Sequence, residues 1–112
     1  MKTENRWLNN FHNFWLSKNI DGVMSLFKDD VIYFETPYQK ITDKSTLKKE
    51  WLSVQNHEID ALNFEVYCET ENKIVTKFTY EYRLNGEKRS FAGVYLIELE
   101  GEKCSYFYQV GE

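Results

Sequence analysis

Glu35 is the residue of this sequence best placed to do chemistry. It closes the apolar run Val31-Ile32-Tyr33-Phe34 and stands just ahead of Thr36 and Pro37. A carboxyl group that ends such a run and turns toward an apolar interior loses hydration, and its pKa rises toward neutrality, as a general base needs. The same position also suits a plainer task, in which the carboxylate accepts a backbone or tyrosine hydrogen bond and caps the loop before Pro37. Tyr80, Tyr95, Tyr106 and Tyr108 fall at alternating positions of later segments. They would bring amphipathic rings, each with an apolar body and a polar tip, around one cavity, or else serve core and cross-strand packing. Trp15 and Trp51 come from different segments and suit either cavity walls or core anchors. Such a lining fits a flat or cyclic organic molecule, small and apolar or aromatic.

Other chemistries find less support. Cys68 and Cys104 lie far apart, without CxxC spacing or a histidine in metal-ligand rhythm, and read as reduced, mostly buried small hydrophobes. His12 and His57 have no partners at zinc spacing, and His12, between Asn10 and Asn13, is expected to face water. Neither a metal nor an organic cofactor is expected. Eighteen acidic residues against fourteen basic ones leave a formal charge of −4, so no broad positive field draws a phosphate backbone. The pair Lys48-Lys49 reads as a solvated helix face. The segment MKTENRWLNN lacks the apolar core of a secretory signal, and no run approaches the ~18 apolar residues of a membrane span. A cytoplasmic protein that binds neither nucleic acid nor membrane is the expectation.

The elements that must position these residues follow from periodicity. Trp7, Leu8, Phe11, Phe14 and Trp15 recur at spacings of three and four, which predicts a first helix over residues 4–18. Asn19, Ile20, Asp21 and Gly22 interrupt it. Val23, Met24, Leu26 and Phe27 predict a short second helix ending near Lys28. Val31–Glu35 is a strand stopped by Pro37. Leu47, Trp51 and Val54 mark a third helix with its N-cap at Thr42 or Asp43. Beyond it the period falls to two: Leu62, Phe64, Val66 and Cys68; Thr76, Phe78, Tyr80 and Tyr82; Phe91, Gly93, Tyr95, Ile97 and Leu99; Tyr106, Tyr108 and Val110. Four strands joined by the turns Glu71-Asn72, Asn85-Gly86 and Glu100-Gly101 predict an antiparallel meander. Helices first and strands after imply an α+β fold with helices on one face of a strongly curved antiparallel sheet.

At 112 residues, 42 % apolar and without a Pro-, Gly- or Ser-rich divider, residues 1–112 read as a single domain. Bulk on both faces of the later strands, where Val94 and Leu96 alternate with Tyr95 and Ile97, predicts a second buried surface and a homodimer built through the sheet. Arg89 and Glu81 are candidates for a charged pair at a hairpin.

The order of these elements, with IDGVMSLFKDD, YFETP, FTYEY and FAGVYLIELEGEKCSYFY, resembles the nuclear transport factor 2-like (NTF2-like) superfamily over essentially the whole chain. Within it the chain looks most like the SnoaL-like and ketosteroid isomerase-like small proteins. The resemblance implies a cone-shaped fold, three helices packed on a curved sheet around a central pocket. It also implies that Glu35 holds the position of the carboxylate that abstracts a proton alpha to a carbonyl. The helix-one tyrosine of the steroid isomerases falls on Phe11, which has no hydroxyl. Their protonated acid falls on Tyr95 and their helix-three pocket tyrosine on Trp51. The expected site is therefore Glu35 and Tyr95 as catalytic groups, with Phe11, Trp15, Tyr33, Trp51, Phe78, Tyr80, Tyr106 and Tyr108 against the ligand. A cofactor-free isomerase, cyclase or hydrolase, a non-catalytic ligand binder and a protein-interaction module are the functions this fold supports.

Overall fold

The computed structural model describes residues 3–111, with the side chains of residues 3–5 outside the description. Helix α1 spans Thr3–Leu16 and buries Trp7, Leu8, Phe11 and Trp15, one stripe of a 3.6-residue repeat. It ends in a Schellman motif. Lys18 adopts a left-handed φ of 57°, its N–H donates to the Trp15 carbonyl at 3.0 Å, and the Asn19 N–H donates to the Phe14 carbonyl at 2.8 Å. Asn19 then caps α2 (Ile20–Ser25) by accepting from the Gly22 N–H at 2.9 Å.

Strand β1 covers Phe27–Thr36, and a short β2, Gln39–Ile41, folds back on it. Helix α3 (Lys44–Leu52) starts at Asp43, whose carboxylate accepts from the Thr46 N–H at 3.0 Å and from the Ser45 and Thr46 hydroxyls. A 3-10 turn, Ser53–Asn56, follows it. The remaining chain is β3 (Glu58–Glu69), β4 (Lys73–Leu84), β5 (Glu87–Glu100) and β6 (Lys103–Gly111).

All six strands form one sheet in the order β2-β1-β6-β5-β4-β3. The meander β3 to β6 is antiparallel, but β1 joins β6 in parallel, so the sheet is mixed rather than purely antiparallel. Irregular registers interrupt β1, β3 and the β5–β6 pair, and such bulges bend strands and sharpen their twist. The sheet curls around the helices, and one continuous core, centred on Phe11 from α1 and Phe107 and Tyr95 from the sheet, fills the space between them. The fold is α+β with the helices on the concave face.

Several expectations need correction. Phe27 opens β1 rather than closing the second helix, because its ring is fully buried against Trp7 and Phe107 in the sheet's interior. Cys68 is exposed, carried outward by the bulge after Val66, whereas Cys104 is buried. His12 is half-buried rather than bathed in water, its Nε2 lying 2.7 Å from the Leu62 carbonyl. Arg89 pairs with Glu87 at 2.8 Å, not with Glu81, which stands opposite Ser90 in the sheet register. No helix among the described residues is long and apolar enough to cross a membrane.

Candidate functional site

The concave face of the sheet and the helices leave a cavity of about 300 Å³ between them. Its sheet wall is built by neighbouring strands in register. Tyr33 and Glu35 lie two residues apart on β1 and so share a face, Gln109 stands beside them on β6, and Tyr95 pairs with Gln109 from β5. Tyr80 and Tyr82 of β4 and Phe91 of β5 extend the wall. From the helical side come Trp15 on α1, Glu50 and Trp51 on α3, then Ser53, Val54 and His57.

Glu35 is half-buried, and burial is the main force raising its pKa above the ordinary carboxylate value. The negative charge of Glu50 raises it further. The Tyr33 hydroxyl and the Gln109 amide work in the opposite direction, by stabilising the ionised form. The Gln109 amide also donates to the backbone carbonyl of Glu35 at 2.8 Å, which fixes the strand beneath the carboxyl group. Tyr33 and Tyr95 are both fully buried, and burial followed by the nearby Glu35 charge holds their hydroxyls far above the usual phenol pKa. They are neutral hydrogen-bond donors at any physiological pH.

On the opposite side His57 Nδ1 lies 2.8 Å from the Tyr80 hydroxyl, and the imidazole stacks on Tyr82 with centroids 4.0 Å apart and planes 16° from parallel. Burial, then the charges of Lys18 and Arg89, lower the His57 pKa, so this imidazole is neutral at pH 7. Burial pushes Tyr80 up to about 12, against a smaller opposing influence from Trp15. The indole N–H groups of Trp15 and Trp51 are buried without a formed hydrogen bond. Each lies near a tyrosine oxygen, Trp15 by Tyr80 and Trp51 by Tyr33, close enough to favour negative charge there but short of bonding geometry. Among the described residues no cluster of His, Cys, Asp or Glu has the arrangement of a metal site.

The structure therefore brings Glu35, Tyr95, Trp15, Tyr33, Trp51 and Tyr80 to one cavity. Four other side chains expected there lie elsewhere. Phe11 is completely buried at the centre of the core, with Trp15, Trp51 and Tyr95 between it and the cavity. Phe78 is stacked flat on Tyr95, 4.1 Å between centroids, and packs behind it. Tyr106 and Tyr108 point to the outer face, where they flank Phe34. The alternation in β6 runs the other way, with Phe107 and Gln109 inward. Gln109, His57, Glu50, Tyr82 and Phe91 line the cavity without having been singled out. For Gln109 a usable signal existed, since it shares parity with Phe107. The histidine had none, because its partner Tyr80 is 23 residues away.

A scan of protein-family models finds no match to the chain, and a search of curated proteins finds none either. Solved structures do share its shape. An isomerase proposed from Bacillus subtilis superposes with a TM-score of 0.83 at 14 % identity, covering 96 % of this chain and 84 % of that one. An LEH-like epoxide hydrolase of M. tuberculosis gives 0.76 at 13 %, covering 96 % and 80 %. A protein of ketosteroid isomerase-like fold from Catenulispora acidiphila, in complex with trimethylamine, gives 0.73 at 12 %, covering 97 % and 85 %. The chain has the nuclear transport factor 2-like, ketosteroid isomerase-like fold.

Proposed function

We propose that residues 1–112 form a single cytoplasmic domain that binds a small organic molecule in the aromatic cavity. There Glu35 performs cofactor-free acid–base chemistry on an apolar cyclic or carbonyl ligand. The observation that carries this is the Glu35 carboxyl group at the wall of a 300 Å³ cavity, its pKa raised by burial and by Glu50. A carboxylate made more basic in this way is suited to take a proton from carbon alpha to a carbonyl. Tyr95 and Tyr33, buried neutral donors close to it, would hydrogen-bond the oxygen on which negative charge develops. Neighbours of the same fold described as an epoxide hydrolase and as a holder of trimethylamine support a ligand cavity here.

The test is carbon-detected NMR titration of Glu35 in labelled protein. A midpoint above the ordinary glutamate value of ~4.3 is expected, and a midpoint at or below that value would remove the base from the mechanism. Phe11, where the steroid isomerases carry a hydroxyl, is sealed in the core at 0 % exposure, which favours a second reading as a non-catalytic binder. Ligand affinity unchanged in Glu35→Gln, with no turnover by either protein, decides for it.

We also propose that two chains pair through the outer sheet face. Ile32, Leu96 and Val110 are 37 %, 38 % and 46 % exposed there, beside Phe34, Tyr106, Tyr108 and Val94. An apolar patch of this kind on a sheet fits a self-complementary interface.

A further inference from the structure

The ionised side chains of the cavity wall are all of one sign. Glu35 from β1 and Glu50 from α3 both reach its wall, close enough for the charge of one to act on the other. Among the described residues neither is paired with a cation, and no lysine or arginine lines the cavity. Lys18 and Arg89, the cations that act on His57, stand outside its wall, and His57 itself is neutral. The rest of the lining is dominated by rings. Trp15 and Trp51 meet at 4.9 Å with planes 84° apart, and Tyr80 packs on Trp15 at 4.8 Å and 61°. These rings wall the cavity from different directions.

The face of an aromatic ring is the negative end of its quadrupole. Two carboxylates among aromatic rings repel an anion, and they hold an organic ligand more firmly where part of it carries positive charge. A compact, strongly hydrated metal ion is a poor match as well, since among the described residues Glu35 and Glu50 are joined by no third ligand in a coordinating cluster. An alkylated ammonium group matches both parts of the lining: its positive charge is spread over an apolar, weakly hydrated surface that rings can cover while carboxylates neutralise it. A group of that size occupies only part of 300 Å³ and leaves room for the rest of a small molecule.

We propose that the cavity recognises the alkylated ammonium group of a small organic cation, with Glu35 and Glu50 as counter-charges and Trp15, Trp51 and Tyr80 as aromatic walls. This inference rests on the cavity being a small-molecule site and names the class of molecule. It adds a directional consequence. A cation beside Glu35 favours the ionised carboxylate, so binding tightens as pH rises through the Glu35 titration.

The experiment is calorimetric titration of the whole chain, at mildly alkaline pH and low ionic strength, with choline and with neohexyl alcohol, its neutral isostere in which carbon replaces nitrogen. Cyclohexanone serves as a neutral carbonyl control. Choline is expected to bind at least about tenfold more tightly than its isostere. That preference should shrink to within about threefold in the Glu35→Gln, Glu50→Gln double variant. Glu50 is exposed, so Glu50→Gln alone gives a second measurement free of any disturbance to the core. Equal or tighter binding of neohexyl alcohol, or a preference that persists undiminished in the double variant, overturns the cation site. Binding of cyclohexanone without choline overturns it while leaving the small-molecule pocket standing, and binding of none of the three removes both.

Discussion

Glu35 is stabilised as an acid and destabilised as a base by its surroundings, and that has a measurable effect on folding. Its native pKa lies above the value in an unfolded chain, chiefly through burial and then through Glu50. The folded protein therefore keeps this proton to higher pH than the unfolded one. Stability falls as pH rises from the ordinary carboxylate value to the raised native value, and the loss is complete above it. Glu35→Gln removes the loss. The variant is expected to melt at a higher temperature than the parent at neutral pH, with the difference vanishing below the ordinary glutamate range, as thermal scans across pH will show. A variant less stable at neutral pH would mean that the stabilisation of the carboxylate by Tyr33 and Gln109 outweighs burial. Much of this residue-level picture was legible in advance, because Val31-Ile32-Tyr33-Phe34 ahead of Glu35 announces a desolvated carboxyl group. Tyr106 and Tyr108 misled because β6 has rings on both parities, and composition does not say whether Phe107 or its neighbours face inward.

At the scale of elements, the end of α1 offers the clearest test. Lys18 occupies the left-handed position of the Schellman motif, where a side chain is strained and glycine is not. Lys18→Gly is expected to stabilise the protein by about 0.5–1 kcal/mol, read as a higher denaturant midpoint at unchanged slope. Since Lys18 also helps lower the His57 pKa, the same variant should let that imidazole titrate slightly higher. Helix and strand identities came through the sequence wherever a period ran long, as in α1 and the four strands after α3. They failed at Phe27, where one ring satisfies a helical stripe and a strand equally, and at β2, whose three residues are too few to show any period. The parallel pairing of β1 with β6 was invisible for a different reason: nothing local records which strand a distant segment will choose.

For the molecule as a whole, the curved sheet separates two tasks. Its concave face holds the cavity and its convex face carries Leu96, flanked in the sheet by Val75 and Tyr108. If copies of the chain pair through that face as proposed, sedimentation gives twice the chain mass at micromolar concentration, and Leu96→Glu gives a monomer with its cavity intact. A parent protein that sediments as a monomer would end the dimer proposal. Bulk on both parities of β5 made this second face readable from the sequence, as alternating rings did a hollow beneath the helices, whereas the size of that hollow was not, because it depends on bulges that bend strands without any marked residue type.

The parallel seam between β1 and β6 governs when the site comes into being. During synthesis β1 and its carboxylate leave the ribosome early, yet the neighbour that supplies Gln109 is made last of the six strands. In the sheet β1 has only β2 and β6 as neighbours, so without β6 its other edge would be open. The cavity wall is thus a joint of distant segments, and any lesion that frays β6 takes Gln109 away from the carboxyl group it steadies on β1.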